Sequence, residues 1–161
     1  VIASHVLALT LMFELRPAHP DDAADLARLS GELGYPASAA QLRQRLATLL
    51  AAPQQHFVCV AQWQGETCGW IHGFVRPLLE SDTCVELGGL VVAAAQRGHG
   101  IGSALLAACE QWAKTQGIHQ LGLRSAEHRQ DAHRFYRQHG YVHVKTSLTL
   151  RKTLASDDAS R

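Results

Sequence analysis

The chain has 161 residues, of which 47% are hydrophobic and 18% are charged, and its formal net charge is +1 at pH 7. This length and composition are typical of one folded domain with a substantial core, and they exclude a largely disordered chain. A near-neutral charge without a long Lys/Arg run gives no basis for nucleic-acid binding.

The two ends of the chain differ from its centre. Residues 1–11 are apolar but lack the basic start and cleavage site of a signal peptide, and they are too short to span a bilayer. We expect residues 1–11 to be an extension upstream of the natural start, residues 12–155 to form a single domain, and residues 156–161 to be a polar tail. No membrane partner is expected.

Cysteines and histidines are numerous enough to raise the question of disulfides and metals. The four cysteines are widely spaced and lie mostly in apolar runs, so we expect small buried hydrophobes in a reducing cytoplasm rather than disulfides or zinc ligands. The ten histidines lack the helical spacing of a zinc site, apart from His139 and His143 on either side of a glycine. We therefore expect a cytoplasmic protein without a metal.

The N-terminal third predicts one strand and two helices. Residues 13–16 read as a strand, and Asp21 or Asp22 then starts a helix that continues to about Leu33. Ser38 caps a second helix with a leucine stripe. Tyr35 lies in the connection, where it either contacts a substrate or covers the edge of the core.

Two strands follow, over residues 56–63 and 67–75, joined by a Gln-Gly-Glu turn. Trp70, His72 and Phe74 alternate along the second strand and therefore share one face. Packing explains Trp70 and Phe74, whereas His72 is open to either a pocket role or a core role. The next strand, residues 84–92, contains Gly88 and Gly89 in its interior, which indicates a bulge or a close backbone approach.

A glycine-rich turn connects that strand to a helix ended by Gly117. Gly98, Gly100 and Gly102 remove side chains where backbone N–H groups point toward one spot. The N-terminus of the helix adds its positive dipole end at the same spot. This arrangement predicts a pyrophosphate cradle. The cradle is not a Walker loop, because no Gly-Lys-Ser/Thr follows, and its spacing is not that of the dinucleotide fingerprint.

The last third predicts a short strand over residues 121–125 and a helix over residues 129–139. Ala132, Phe135 and Tyr136 share one face of this helix, and Gly140 ends it. Residues 141–144 and 146–152 then read as a closing antiparallel pair of strands.

Two of these segments resemble the signatures of the GNAT superfamily of N-acetyltransferases. Arg97-x-x-Gly100-x-Gly102 is similar to its Arg/Gln-x-x-Gly-x-Gly/Ala motif, and the Ala-x-x-Phe-Tyr of the later helix, followed by Gly-Tyr, is similar to its second motif. The resemblance implies the GNAT fold of the α/β (α+β) class. This fold has a mixed, mostly antiparallel central sheet of about six to seven strands, about four helices, and strands splayed at the coenzyme site.

The resemblance also implies acetyl-CoA as co-substrate. Its pantetheine arm would lie against the splayed strand, and its pyrophosphate would lie in the cradle. Arg129 stands where the family often has Asn, so it would reach a coenzyme phosphate or an acidic acceptor instead. The implied contacts are Leu90, Val91, Val92, Arg97, Gly98, His99, Gly100, Ile101, Gly102, Ser103 and Arg129.

The implied reaction is direct transfer of an acetyl group to a primary amine on a small molecule or peptide. Tyr136 would be the general acid near the coenzyme sulfur, the alternative being a core tyrosine. Glu86 would be the base, the alternative being a strand glutamate paired with an arginine. Tyr35, Trp70 and His72 are the candidate substrate contacts.

Two alternatives stay open. A non-catalytic GNAT-fold module that binds acyl-CoA or serves regulation would carry the same cradle. Many members of the family are dimers, which makes a homodimer compatible with the sequence. The identity of the amine acceptor is not readable, because acceptor pockets are built from variable loops.

Overall fold

The computed structural model describes residues 12–155, so the predicted extension 1–11 and the predicted tail 156–161 lie outside the described residues. The chain divides into two compact units, one ending at Ala126 and the other beginning at Glu127. The single domain over residues 12–155 stays a prediction. Among residues 12–155 no helix is long and apolar enough to cross a membrane.

The first unit is built on a five-stranded sheet in which the strands follow chain order. Adjacent strands from β1 to β4 pair antiparallel, whereas β5 pairs parallel to β4. A parallel neighbour requires a crossover connection, and the helix between β4 and β5 supplies it. The strands are β1 (Phe13–Pro17), β2 (His56–Trp63), β3 (Glu66–Arg76), β4 (Cys84–Val92) and β5 (Leu121–Leu123).

Helices cover both faces of this sheet: α1 (Ala23–Leu33), α2 (Ala39–Leu50) and α3 (Ile101–Thr115). On one face, Val58 and Val60 form a buried cluster with Leu26 of α1 and Leu46 of α2. Phe57 points to the opposite face, because side chains alternate along a strand. There its ring stacks on Trp112 of α3 with centroids 5.6 Å apart.

The helix starts were predicted with mixed success. Ser38 caps α2 as predicted: its Oγ accepts from the Gln41 N–H at 3.1 Å, and Gln41 Oε1 accepts from the Ser38 N–H at 2.9 Å. Asp22 makes no side-chain cap for α1, and a 3-10 turn (Pro20–Asp22) precedes that helix. The Asp22 carboxylate instead accepts hydrogen bonds from Arg16 at 2.7 and 2.8 Å.

The second unit contains α4 (Gln130–Gln138). Gly140 ends this helix as predicted, with φ of 85°, and the Tyr141 N–H donates to the Tyr136 carbonyl at 3.0 Å. This is the usual glycine-terminated helix end.

The closing strand pair predicted over residues 141–144 and 146–152 is wrong, because residues 141–155 contain no strand. Val142, Val144, Leu148 and Leu150 are 79–89% exposed. Alternating apolar residues favour a strand, but a strand forms only where a neighbour accepts its backbone hydrogen bonds. The described sheet therefore has five strands rather than about six or seven, while the four predicted helices are all present.

Candidate active site

β4 separates from β5 halfway along its length. Pairing between the two strands covers only Val85, Glu86 and Leu87 of β4, so within residues 12–155 the part from Gly88 to Val92 has no partner on that side. The backbone groups of this part are available to a ligand, because a strand edge presents unpaired N–H and C=O groups. The strands are thus splayed, as the sequence predicted.

The two glycines of β4 face two ring side chains of β3. The register between these strands shifts at His72, where Gly88 is the extra residue of a bulge. A Cβ on Gly88 would lie 2.8 Å from His72 Nδ1, and a Cβ on Gly89 would lie 2.7 Å from Trp70 Cη2. Both distances are shorter than any real contact, so the rings of Trp70 and His72 occupy space that only glycine leaves.

The loop after β4 has the geometry of an anion cradle. Gly98 and Gly100 both have φ of 81°, and a Cβ on either would meet nothing within 4 Å. Gly100 is also the N-cap of α3 and makes no side-chain cap, so the first N–H groups of the helix face the open space in front of the loop. Arg97 braces the loop by donating from Nε to the Val92 carbonyl at 3.0 Å.

His99 holds the outer side of this cradle. Its Nδ1 lies 3.0 Å from the Gln96 carbonyl, and since a carbonyl only accepts, Nδ1 carries the hydrogen. The ring packs edge-on against Trp63 of β2, with centroids 4.8 Å apart. The loop is therefore fixed by side-chain contacts at both Arg97 and His99.

A cluster of three rings lies at the other end of β3. The His56 Nδ1 and His72 Nε2 atoms are 3.2 Å apart, and Phe74 packs against both rings at centroid distances of 6.3 and 5.6 Å. Burial, with a smaller contribution from His56, lowers the pKa of His72 to about 4. His72 is therefore neutral at pH 7. Sequence reasoning missed His56, which the pairing of β2 with β3 places opposite Phe74.

Glu86 lies between two arginines. Arg124 donates from Nε and Nη2 to Glu86 Oε1 at 3.0 and 2.9 Å. Arg76 Nη1 forms an ion pair with Glu86 Oε2 at 3.1 Å. The Glu86 side chain is only 10% exposed, whereas those of Arg76 and Arg124 are 38% and 66% exposed. This matches the alternative that the sequence left open, a strand glutamate paired with arginine.

Tyr35 and Trp70 are the other candidate substrate contacts. Tyr35 follows α1 and is 70% exposed. Trp70 packs against the buried cluster that contains Leu26, Leu46 and Val60. Its buried Nε1 has no hydrogen-bond partner among the described residues. A polar cavity of about 1020 Å³ lies elsewhere in the first unit, along α1 and the turn between β2 and β3. None of the predicted acceptor residues lines it.

Tyr136 and Arg129 belong to the second unit. Arg129 is the N-cap residue of α4, and Tyr136 lies two turns along the helix, in ring contact with Phe135 and Tyr141. Burial raises the pKa of Tyr136 to about 12, although the positive charge of Arg129 acts against this rise. Tyr136 therefore keeps its phenolic proton throughout the physiological range and is able to donate it.

The cysteines are unsuited to covalent catalysis. Burial raises the pKa of Cys59 to about 11 and that of Cys109 to about 12, and it also raises the pKa of Cys68. A thiol attacks as its thiolate, so burial makes these groups unreactive. Within residues 12–155 no three His, Cys, Asp or Glu side chains are grouped as metal ligands.

A splayed strand pair, a glycine-rich loop and a helix N-terminus in this order define an acetyltransferase of the GNAT class. The sequence profile of the acetyltransferase (GNAT) family matches residues 21–141, and the chain belongs to this family. The recognition made from the two motifs is thereby confirmed. Members of the family use acetyl-CoA.

The chain is similar to several known acetyltransferases. It is 36% identical to the aminoalkylphosphonate N-acetyltransferase of Salmonella typhimurium over 114 residues, which cover 70% of this chain and 71% of that protein. An aminoglycoside 6'-N-acetyltransferase of Acinetobacter haemolyticus has the same fold, with a TM-score of 0.76 and 20% identity over 88% of this chain and 99% of that one. Another aminoglycoside 6'-N-acetyltransferase, solved with a CoA bisubstrate analogue, has a TM-score of 0.77 and 16% identity over 88% and 99% of the two chains.

Proposed function

We propose that this protein transfers the acetyl group of acetyl-CoA directly to a primary amine of a small acceptor. The observation that carries the proposal is the cradle between β4 and α3, with Gly98 and Gly100 in the left-handed conformation. The open backbone N–H groups of this loop would bind a pyrophosphate, and the unpaired backbone of β4 would bind an extended arm. The proposed coenzyme contacts are Leu90, Val91, Val92, Arg97, Gly98, His99, Gly100, Ile101, Gly102, Ser103 and Arg129.

Acetyl-CoA supplies an acetyl thioester. In the proposed reaction the amine nitrogen forms a bond to the carbonyl carbon, the carbon–sulfur bond breaks, and the sulfur leaves with the electron pair. The N–H of Val92 would polarise the carbonyl. Tyr136 would give its proton to the departing sulfur, and its pKa of about 12 keeps that proton available.

The acceptor ammonium must lose a proton before it attacks. Glu86 is the proposed base, and its contacts specify how it would act. A carboxylate offers about four accepting positions, and Arg76 and Arg124 use at most three of them. The position left on Oε2 is the one that would receive the ammonium proton. The neutral ring of His72 and its neighbour His56, with Trp70 and Tyr35, would line the approach.

The relatives support a small amine as acceptor. The relative that is 36% identical is named for aminoalkylphosphonates, and structural neighbours are named for aminoglycosides. An amine screen should therefore contain both classes, together with simple alkylamines. One fold hosts many different acceptor pockets, so the fold alone does not choose among these classes.

The first test is a thermal-shift titration with acetyl-CoA. The double variant Arg97→Glu/Gly100→Asp places two carboxylates in the cradle and should abolish the shift, because a ligand stabilises a fold only when it binds the folded state. Arg45→Glu on the exposed side of α2 changes the charge by as much as Arg97→Glu does and should keep the shift. Absence of a shift with wild type, at ligand far above any reasonable dissociation constant, would contradict the proposal.

Turnover separates the enzyme from the alternative module. Wild type that binds acetyl-CoA should release free thiol with at least one amine of the screen, and Tyr136→Phe should retain binding but lose rate. A protein that binds acetyl-CoA and turns over no amine in the screen would favour the non-catalytic acyl-CoA-binding module instead.

A further inference from the structure

The group formed by Arg76, Glu86 and Arg124 carries more positive than negative charge. Two guanidinium ions meet one carboxylate at 2.9 to 3.1 Å, which leaves a net charge of +1. The carboxylate is nearly buried, whereas both guanidinium groups reach solvent. One guanidinium is enough to neutralise one carboxylate, so the second arginine makes the group cationic.

This group lies on the same face of the sheet as the ring cluster. Glu86 pairs directly with Phe74 across β3 and β4, and on the other side it pairs with Gly122 of β5. Residues directly opposite each other share a face, as do residues two apart along a strand. Arg76 therefore follows Phe74 on this face, and His72 precedes it.

Glu86 holds both arginines in place, and each arginine keeps N–H donors that Glu86 does not use. Each guanidinium has five N–H donors. Arg124 uses its Nε and Nη2 atoms on Glu86, and its Nη1 has no partner within residues 12–155. Arg76 likewise uses only Nη1 on Glu86. Fixed guanidinium groups with free donors match the oxygen atoms of a carboxylate, phosphate or phosphonate.

We propose that Arg76 and Arg124 bind an acidic group of the acceptor, so that the acceptor is a small amine carrying an oxyanion. The inference rests on the proposed function, since it identifies the acceptor class of that same site. The oxyanion meets the free donors of the two arginines, and the ammonium of the same molecule meets the accepting position left on Glu86. The charged groups of the site are thus complementary to those of a zwitterion.

The same arrangement disfavours acceptors that carry only positive charge. A polyamine or an aminoglycoside brings several ammonium groups toward a site with net charge of +1, and like charges at close range repel. This separates the chain from the structural neighbours named for aminoglycosides, which share its fold at 20% and 16% identity.

The test compares acceptors that differ in the acidic group alone. 2-Aminoethylphosphonate, β-alanine and propylamine are acetylated by wild type, Arg76→Gln, Arg124→Gln and Arg124→Lys, with Arg45→Gln as the matched surface control. We expect wild type to prefer the two acidic amines, and each Gln variant to raise KM for them roughly 10- to 100-fold more than it raises KM for propylamine. Arg124→Lys retains the positive charge beside Glu86. A weaker preference of this variant for the acidic amines would therefore show that binding depends on the guanidinium geometry.

A binding measurement accompanies the kinetics. Methylphosphonate has the oxyanion but no amine, and it should raise the melting temperature of wild type and of Arg45→Gln more than that of Arg124→Gln or Arg124→Lys. The relative strengths of phosphonate and carboxylate acceptors then identify the acid.

Equal use of propylamine and 2-aminoethylphosphonate by wild type would overturn the inference and leave the transferase intact. Unchanged KM in all the arginine variants would do the same. Binding of acetyl-CoA without acetylation of any amine would instead overturn the proposed function, and the methylphosphonate shift would still decide whether the arginines bind an oxyanion.

Discussion

His72 makes the stability of the first unit depend on pH. Burial, with a smaller contribution from His56, lowers the pKa of His72 from 6.5 to about 4, and in the unfolded chain the ring titrates near about 6.5. Between these two values the unfolded chain binds the proton and the folded chain does not. The free energy of unfolding therefore rises with pH through this window. The contribution that His72 makes to stability is lost as the pH falls below about 6.5.

The size of the effect follows from the two pKa values. Their difference, 6.5 minus about 4, corresponds to about 3 kcal/mol when the full window is crossed. Between pH 7 and pH 5 only part of the window is crossed, and the expected loss is about 2 kcal/mol. That is a substantial share of the stability of a small domain.

Urea unfolding followed by circular dichroism at pH 7, 6 and 5 measures this loss. His72→Gln removes the titrating group, so its free energy of unfolding should fall less between pH 7 and pH 5 than that of wild type, by about 2 kcal/mol. His119→Gln, at an exposed position, should behave as wild type. Other ionisable groups contribute equally to both slopes, which isolates His72.

The slope is the quantity that decides, because His72→Gln also removes the contact with His56 and lowers stability at every pH. Identical pH dependence in wild type and His72→Gln would refute the reasoning. It would mean that the ring accepts a proton in the folded protein as easily as in the unfolded one.

Three further results are expected. Gly89→Ala places a Cβ 2.7 Å from Trp70 Cη2 and should lower the free energy of unfolding by about 1–3 kcal/mol. Gly31→Ala, at a helical site with nothing within 4 Å, should raise the free energy of unfolding by about 0.5–1 kcal/mol. Urea titrations of both variants measure these changes. Ser38→Ala removes the cap of α2 and should cost about 1 kcal/mol in the same titration. Because the pKa of Tyr136 is about 12, the rate of acetyl transfer should show no loss from ionisation of this phenol below about pH 10. A decrease below that pH in wild type that Tyr136→Phe lacks would contradict the raised pKa.

The parts of the site that local chemistry governs were predictable. The glycines of the cradle are close in sequence, and their left-handed conformation, which side chains disfavour, is a property of a few neighbouring residues. The same holds for the bulge at Gly88 and for the ends of α3 and α4 at Gly117 and Gly140. In each case a glycine marks a backbone state that other residues rarely adopt, so reading the residue type was sufficient.

The partners of Glu86 were not predictable in the same way. Arg76 and Arg124 are distant from it in sequence, and only the pairing of β3, β4 and β5 brings the three side chains together. His56 joins His72 for the same reason, across β2 and β3. Nothing in the spacing of these residues marks them, because arginines and histidines are as common on solvated surfaces as in sites.

The absence of the predicted closing strands shows that an alternating sequence pattern does not by itself form a strand. The alternating valines and leucines of residues 141–152 carry the pattern of a strand, yet they lie exposed and unpaired within the second unit. The sequence by itself indicated the family through its two motifs, and it indicated the helices, the five strands of the sheet and the glycine-rich turn through local periodicity and glycine. Which strands pair, and hence which charges surround Glu86 and which rings surround His72, was decided only by the tertiary structure, because strand pairing joins residues that have no local relation to each other.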